Sequence, residues 1–369
     1  MTSARSTRRL WLWVLTMVLS GCLASRTHSP VSRPFGEPAV TYSMAQQVRW
    51  LDSERFLVGR WDGTISLLEA PAGEGGAARL ADAMVLPDGE GVRMLVTHSP
   101  RAFVSSAGED ALLVWRAPEG AAFTPTPVHY AADVGFAVSG LFVSDQGQDH
   151  LITGHESGHL LIWSVGEDAE LTLRHTVDLR MAESIDYAHA DEPLRHIRGL
   201  AAWRDGIIIA GGEDGGLHQV RLEDGAVLTQ RLFNPAARLG INDLAVHGDS
   251  LLVVNCATDK RDRNLWLFAL QAAHIGDTDA VNLLRDRQQK RIFAFDVVTY
   301  EQDGVPLAAV TTKEGLLWSV RFSDDGLEPS GHTSLGRFFY GSAIDYDAVS
   351  GRIAAAGISV RVVPVQPPE

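Results

Sequence analysis

Basic residues are outnumbered by acidic ones in this chain of 369 residues, and cysteine is nearly missing. There are 32 lysines and arginines against 46 aspartates and glutamates, a formal net charge of −14 at pH 7. Arg5, Arg8 and Arg9 precede residue 22, so the remainder carries 29 basic residues against 46 acidic ones. This balance argues against nucleic acid or anionic lipid headgroups as the main partner. The two cysteines, Cys22 and Cys256, provide no framework of disulfides, so packing has to stabilise the fold.

Sequence signatures of common enzyme classes are also missing. The chain contains neither a glycine-flanked nucleophile elbow nor a phosphate-binding loop with its lysine. The glycine-rich stretch 211–216 lies between two predicted strands and offers no helix N-terminus to a phosphate. His155 and His159 lie four residues apart, a metal-binding spacing on a helix, but here they flank a predicted hairpin turn. We therefore expect no catalytic residue, no cofactor and no metal.

One short sequence pattern recurs along the chain: an apolar run, a tight polar turn and a second apolar run. Its first copy is residues 56–68, in which Asp62 and Gly63 form the turn. In the turns, glycine supplies positive φ and aspartate bonds the local backbone. A unit of short strands repeated about every 40 to 50 residues is the signature of a β-propeller blade. The other copies lie at residues 103–115, 151–163, 207–220, 251–267, 307–320 and 353–363.

An additional strand of similar pattern precedes each copy. These upstream strands are predicted at residues 48–51, 92–95, 138–141, 197–200, 241–244, 292–295 and 343–346. We therefore predict an all-β fold, a propeller of about seven four-stranded blades within a single domain, residues 39–365. An N-terminal strand at residues 40–43 is expected to pair with the last copy and close the ring.

Residues 39–365 resemble the WD-repeat propeller family. Trp115 and Trp163 occupy the tryptophan position that the family places after its third strand. They are followed by Arg116 and Ser164, where the family prefers aspartate, and the usual Gly-His pair is mostly missing. The resemblance therefore implies the fold and leaves the function open.

The N-terminus has the features of an export signal. Three arginines precede the uncharged run 10–19, which is too short to anchor the chain across a bilayer. The run ends in Leu19-Ser20-Gly21-Cys22, which resembles a bacterial lipobox, and this implies cleavage before Cys22 and a diacylglycerol on its sulfur. We expect a signal peptide at residues 1–21, a flexible tether at 22–38 and a short tail at 366–369. The following Leu23 implies sorting to the outer membrane.

Polar residues at similar positions of the predicted inner strands form the candidate binding site. Arg49, Arg93, Arg198 and Asn242 are expected near the mouth of the central channel. Two longer connections, residues 181–195 and 257–264, are expected on the same face, and loops on a rigid scaffold often carry recognition. The alternative, that each arginine pairs with a carboxylate of a neighbouring blade, stays open.

These features predict a non-enzymatic, lipid-anchored propeller of the bacterial outer membrane that faces the periplasm. Its expected partners are another envelope protein and, through the anchor, the membrane. The alternative function is an enzyme or a small-ligand binder that uses the channel mouth.

Overall fold

The computed structural model describes residues 43–365 except 74–76, 88, 120, 186–193, 205, 258–262, 284–291, 324–325 and 337–341. The predicted signal peptide, Cys22, the tether and the tail lie outside this part of the chain. So do residues 40–42 of the predicted closing strand. Within the described residues, no helix has the length and apolar character needed to cross a membrane.

The described residues form successive antiparallel meanders, as the recurring sequence pattern predicts. The first contains β1 (Ala45–Trp50), β2 (Arg55–Arg60), β3 (Thr64–Glu69) and β4 (Arg79–Val85). The second contains β5 (Leu95–Ser99), β6 (Ala102–Ser106), β7 (Ala111–Arg116) and β8 (Thr124–His129). The third contains β9 (Ala137–Asp145), β10 (Gln148–His155), β11 (His159–Val165) and β12 (Leu171–Asp178). Single 3-10 turns at Ala132–Val134 and Glu167–Ala169 precede β9 and β12.

The pattern continues to the C-terminus. The fourth meander contains β13 (Ile197–Trp203), β14 (Ile207–Gly212), β15 (Gly216–Arg221) and β16 (Val227–Leu232). The fifth contains β17 (Ile241–His247), β18 (Ser250–Ala257), β19 (Leu265–Gln271) and β20 (His274–Val281). The sixth contains β21 (Ile292–Gln302), β22 (Val305–Thr312), β23 (Leu316–Ser323) and β24 (Gly326–Ser334). The last contains β25 (Ala343–Asp347), β26 (Arg352–Ala356) and β27 (Val360–Pro364).

The sheet arrangement corrects the prediction of seven separate four-stranded blades. Two residue pairs, Cys256 with Phe293 and Ala257 with Ile292, join β18 to β21 and merge two meanders into one eight-stranded sheet. The last sheet has three strands, and Ser43, the described residue of the predicted closing strand, lies outside any strand. The described residues therefore form six sheets: four of four strands, one of eight and one of three.

The turns confirm the predicted role of glycine and aspartate. Gly63 and Gly215 have φ values of 78° and 87°, which a side chain would disfavour. The preceding aspartates bond the backbone two residues on: Asp62 Oδ1 accepts the Thr64 N–H, and Asp214 Oδ1 accepts the Gly216 N–H. These local bonds fix the turn between the second and third strands of a meander.

Tryptophans, two of them buried, tie the second strand to the third in three meanders. The Nε1–H of Trp115 donates to Ser105 Oγ at 3.0 Å, and that of Trp163 donates to Thr153 Oγ1 at 3.1 Å. Trp266, which the sequence pattern does not single out, makes the same type of bond. Because Trp115 and Trp163 are almost fully buried, each bond satisfies a polar group that water does not reach.

The ring closes through side-chain and backbone contacts between the last sheet and the first. Ala45, Val48, Trp50 and Phe56 pack with Ala343, Ala354 and Ala356 in one buried cluster. The Ala45 N–H donates to the Gly357 carbonyl at 2.9 Å, and Arg352 donates to the carbonyl oxygens of Ser53 and Pro71. Among the described residues this seam, rather than a strand from the N-terminus, joins the two ends.

Candidate interaction face at the channel mouth

The first strands of the meanders form the innermost ring of the fold. Each packs against the first strand of the next meander, from β1 through β5, β9, β13, β17 and β21 to β25, and β25 packs against β1. We call the edge at which these innermost strands begin the channel-mouth edge. The second and third strands of each meander meet at the same edge, so their turns lie beside the starts of the innermost strands.

Local irregularities decide which side chains stand at this edge. In five innermost strands the pairing shifts by one residue near the start, and the inserted residues are Gln46, Val138, Arg198, Asn242 and Phe295. Such a bulge re-aims one side chain relative to its neighbours. Arg198 and Asn242 therefore occupy equivalent positions. Arg93 precedes β5, which begins at Leu95, and Arg49 pairs with Leu57 farther along β1. Arg93 lies two residues before Leu95, as Arg198 lies two residues before Leu200, and these two leucines have equivalent pairing. Three of the four predicted site residues, Arg93, Arg198 and Asn242, therefore share one level, and Arg49 lies at another.

Arg93 joins the second meander to the third. Its Nη1 donates to Glu156 Oε1, and its guanidinium lies 3.7 Å from the centre of the Phe136 ring. Both charged side chains retain a quarter of their exposure. The backbone is held as well, because Ser106 Oγ accepts the Arg93 N–H at 3.0 Å and Gln47 Nε2 donates to the Arg93 carbonyl. Arg93 is therefore a fixed cation stacked on an aromatic ring.

Arg198 belongs to a group of three polar side chains. Its Nε donates to Glu213 Oε1 at 2.6 Å, and His196 Nδ1 lies 3.0 Å from Glu213 Oε2. Burial by itself raises the pKa of the Glu213 carboxyl, but Arg198 and His196 together hold that pKa below its ordinary value. Glu213 is thus a buried carboxylate that orients Arg198, whose side chain keeps 42% of its exposure.

Asn242 and Arg49 have partners within the ring. Asn242 Nδ2 donates to the Ala294 carbonyl at 2.6 Å and to Cys256 Sγ at 3.1 Å, so it bridges β17, β18 and β21. Arg49 Nη1 donates to the Val48 carbonyl at 2.7 Å, and its charge acts on Asp345. Both side chains stabilise the inner ring where the structure places them.

The turn after the second strand contributes residues that the sequence pattern does not identify. Glu156 and Glu213 occupy this turn in the third and fourth meanders, and Lys313 occupies it in the sixth. The Lys313 ammonium lies 4.8 Å from the centre of the half-buried Phe293 ring. The sequence could have identified these three residues by position, because each is the first residue of the turn that follows the second strand of its copy.

The stretch 155–159 reads His-Glu-Ser-Gly-His, the letters of a helical zinc-binding motif. Here it is the β10–β11 turn. His155 is buried, its Nδ1–H donates to the Gly135 carbonyl, and burial lowers its pKa to about 4. Glu156 pairs with Arg93, and His159 Nδ1 lies 2.8 Å from Ser157 Oγ. No group of three potential metal ligands is assembled within the described ranges.

A cavity of about 420 Å³ lies away from the channel-mouth edge, between the third and fourth meanders. It is open to solvent and is lined by residues of β9, β10 and β12 and of the turn after β15, including Asp145, His150, Arg174 and Glu223. Since these elements meet at the opposite edge of the sheets, the cavity does not contribute to the predicted site.

A closed ring of antiparallel meanders around innermost strands defines this chain as an all-β propeller. A crystal structure that matches it is that of the β-propeller domain of Cps50 (Swd1) from Myceliophteria thermophila, with a TM-score of 0.61 and 11% sequence identity. The match covers 87% of this chain and 97% of that one. No protein-family model matches the chain, and no curated protein does. Because 1545 solved chains match, the likeness identifies a widely used fold and leaves the function to be argued from the site.

Proposed function

We propose that this protein is a non-enzymatic, lipid-anchored propeller of the bacterial cell envelope that binds another envelope protein through its channel-mouth edge. The proposal has two parts, an anchor at Cys22 and a docking face on the propeller. The two parts are tested separately.

The sequence supports the anchor. The order of a charged start, a short apolar run and Leu19-Ser20-Gly21-Cys22 is that of a lipoprotein signal. Residues 22–38 then provide a tether, and the propeller would stand in the periplasm at the outer membrane.

The observation that supports docking is the arrangement of cations on aromatic rings at one edge. Arg93 lies over the Phe136 ring, and Lys313 lies over the Phe293 ring. Arg198, which lies between them in the sequence, donates a hydrogen bond to the buried carboxylate of Glu213. Oriented arginines and aromatic rings are the side chains that most often anchor protein interfaces. The connections that contain residues 181–195 and 257–264 begin and end at strands of the same edge.

The anchor is tested by Cys22→Ser in cells fed a fatty-acid analogue that can be labelled. We expect the label to disappear and the protein to leave the membrane fraction or remain as an unprocessed precursor. Cys256→Ser is the matched control and should keep both label and location. Labelling that persists in Cys22→Ser would refute the anchor.

The docking face is tested by placing a photo-crosslinking residue at single positions in cells. Position 313 samples the channel-mouth edge, and position 361 on β27 and position 223 after β15 sample the outside and the opposite edge. We expect one discrete crosslinked product from position 313 and none from positions 223 and 361. Products only from the two control positions would move the docking site away from the channel mouth.

A further inference from the structure

A chain of hydrogen bonds runs from the core of the third meander to the loop that joins β8 to β9. The indole Nε1–H of Trp163 donates to Thr153 Oγ1 at 3.1 Å, and that oxygen lies 2.8 Å from His155 Nε2. On the other side of the imidazole, Nδ1 lies 2.9 Å from the Gly135 carbonyl oxygen. The Tyr130 hydroxyl donates to the same carbonyl at 3.1 Å. Water does not compete for the inner bonds, because Thr153, His155 and Trp163 are almost fully buried.

The groups at the two ends fix the direction of every bond in this chain. A carbonyl oxygen only accepts, so the proton of the neutral imidazole is on Nδ1 and Nε2 is left as an acceptor. The Thr153 hydroxyl then donates to Nε2 and accepts from the indole. Burial lowers the pKa of His155 to about 4, so the ring is neutral at pH 7. His155 therefore connects the core to Gly135 in one tautomer.

The β10–β11 turn bonds three successive carbonyls of the same loop. The Val134 carbonyl accepts from the Ser157 hydroxyl, and the Phe136 carbonyl accepts from the Glu156 N–H at 3.0 Å. His155 bonds the carbonyl between them. Its bond is the one that the hydrogen-bond chain extends into the core, so it ties the loop to the third meander as well as to the turn.

The next residue of this loop supplies the ring under Arg93. The Arg93 guanidinium lies 3.7 Å from the centre of the Phe136 ring, and it pairs with Glu156. Both partners of Arg93 thus belong to the two segments that His155 joins, the loop and the turn. The Tyr130 ring packs edge-on against the imidazole with the ring centres 4.9 Å apart, which helps to fix the plane of the imidazole.

The other meanders with a bonded tryptophan do not extend the bond in this way. The corresponding position lies two residues after the side chain that accepts the indole N–H. It is Ala107 in the second meander and Ala257 in the fifth, and an alanine side chain has no donor. The extension through His155 therefore occurs beside Arg93, where the candidate docking face needs a fixed aromatic ring.

We propose that His155 is a positioning residue of the docking face, because its Nδ1–H bond to the Gly135 carbonyl fixes the Phe136 ring on which Arg93 stacks. This role rests on the proposed docking at the channel-mouth edge. It extends the docking face to a buried side chain that the partner does not touch.

Two substitutions separate the two bonds of the imidazole. In His155→Asn the amide nitrogen takes the place of Nδ1 and still donates to the Gly135 carbonyl, but the bond to Thr153 is lost. In His155→Gln the longer amide takes the place of Nε2 and still accepts from Thr153, but the bond to Gly135 is lost. Each variant loses one buried hydrogen bond, so a purely structural role predicts similar effects of the two.

The first readout is the side-chain NMR signal of Arg93 in the full-length protein, labelled on arginine and assigned by the loss of the signal in Arg93→Lys. Stacking on the Phe136 ring shifts this signal upfield through the ring current. We expect the upfield shift to persist in His155→Asn and to be lost in His155→Gln. His218→Gln is the matched control, because this histidine of the fourth meander is equally buried and the Arg93 signal should not change.

The second readout is photo-crosslinking from position 313 in the same two variants. We expect the product to persist in His155→Asn and to fall by about tenfold in His155→Gln, since a misplaced interface anchor weakens binding by at least that factor. A wild type that gives no product would refute the docking function itself. The Arg93 signal would then still decide whether His155 holds the Phe136 ring.

Equal Arg93 signals in His155→Asn and His155→Gln would overturn the positioning role. The wild type provides a test that needs neither variant to fold. The nitrogen chemical shifts of the His155 ring should report a proton on Nδ1 at pH 7, and a proton on Nε2 instead would overturn the role as well.

Discussion

Single residues at the channel-mouth edge are fixed by contacts with residues far away in the chain. Gly240 is the clearest case, since a Cβ at this position would overlap the carbonyl oxygen of Glu213. The side chain of the same glutamate accepts a hydrogen bond from Arg198. The close packing of Gly240 against the Glu213 backbone therefore also helps to position Arg198.

We therefore expect Gly240→Ala to destabilise the domain by about 2 to 4 kcal/mol. The added methyl group would clash with the Glu213 backbone, and neither segment can move away without disturbing its own packing. Gly73→Ala is the matched control, since nothing lies within 4 Å of its added methyl group. Chemical denaturation measures both. A Gly240→Ala variant as stable as the wild type would show that the strand before β17 can move away from Glu213.

At the scale of elements, the junction between the last and first sheets depends on a few side chains. Arg352 of β26 donates to Ser53 O at 2.6 Å and Pro71 O at 3.0 Å, and its guanidinium lies 5.4 Å from the centre of the Trp50 ring. One residue thus connects the last sheet to two loops and an inner strand of the first.

Arg352→Met keeps the aliphatic stem but removes both charged donors, and we expect a loss of about 2 kcal/mol in the free energy of unfolding. Arg361→Met, on the neighbouring strand, should cost less than about 0.5 kcal/mol, because that exposed side chain donates to the carbonyl of the adjacent Val360 and so links no distant parts of the fold through this bond. Equal effects of the two substitutions in denaturant titrations would contradict the role of Arg352 in closure.

At the scale of the whole molecule, the ring shares its core between all consecutive meanders. Each junction has its own buried apolar cluster, including the one that combines Ala343 and Ala354 with Trp50 and Phe56. The first sheet therefore depends on the last for the burial of its own apolar face.

A chain that stops after residue 336 lacks β25–β27 and should lose the cooperative unfolding transition, because the faces on both sides of the gap become exposed to water. A chain that stops after residue 365 keeps these strands and should melt within about 2 °C of the intact protein. Calorimetry distinguishes the two. A cooperative transition in the shorter chain would mean that the open ring is stable by itself.

The sequence alone determined the local structure. Alternating apolar runs and turn residues predicted the meanders because strand and turn preferences act over a few residues. The innermost strands were placed correctly in order, although β5 begins at Leu95, where the predicted strand 92–95 ends. Trp115 and Trp163 marked the third strands, and their position depends only on spacing within one repeat.

Only the tertiary structure decided register, junctions and side-chain partners. Arg198 is the bulged residue of its strand, whereas Arg49 lies three residues beyond the bulge at Gln46. The amino-acid composition of these strands does not reveal where the bulge falls. The merging of β18 with β21 depends on two residue pairs, and the seam depends on Asp345 and Trp50, which are 295 positions apart. These properties exist only once the ring brings distant strands into contact, because they depend on distance and burial and not on any local preference.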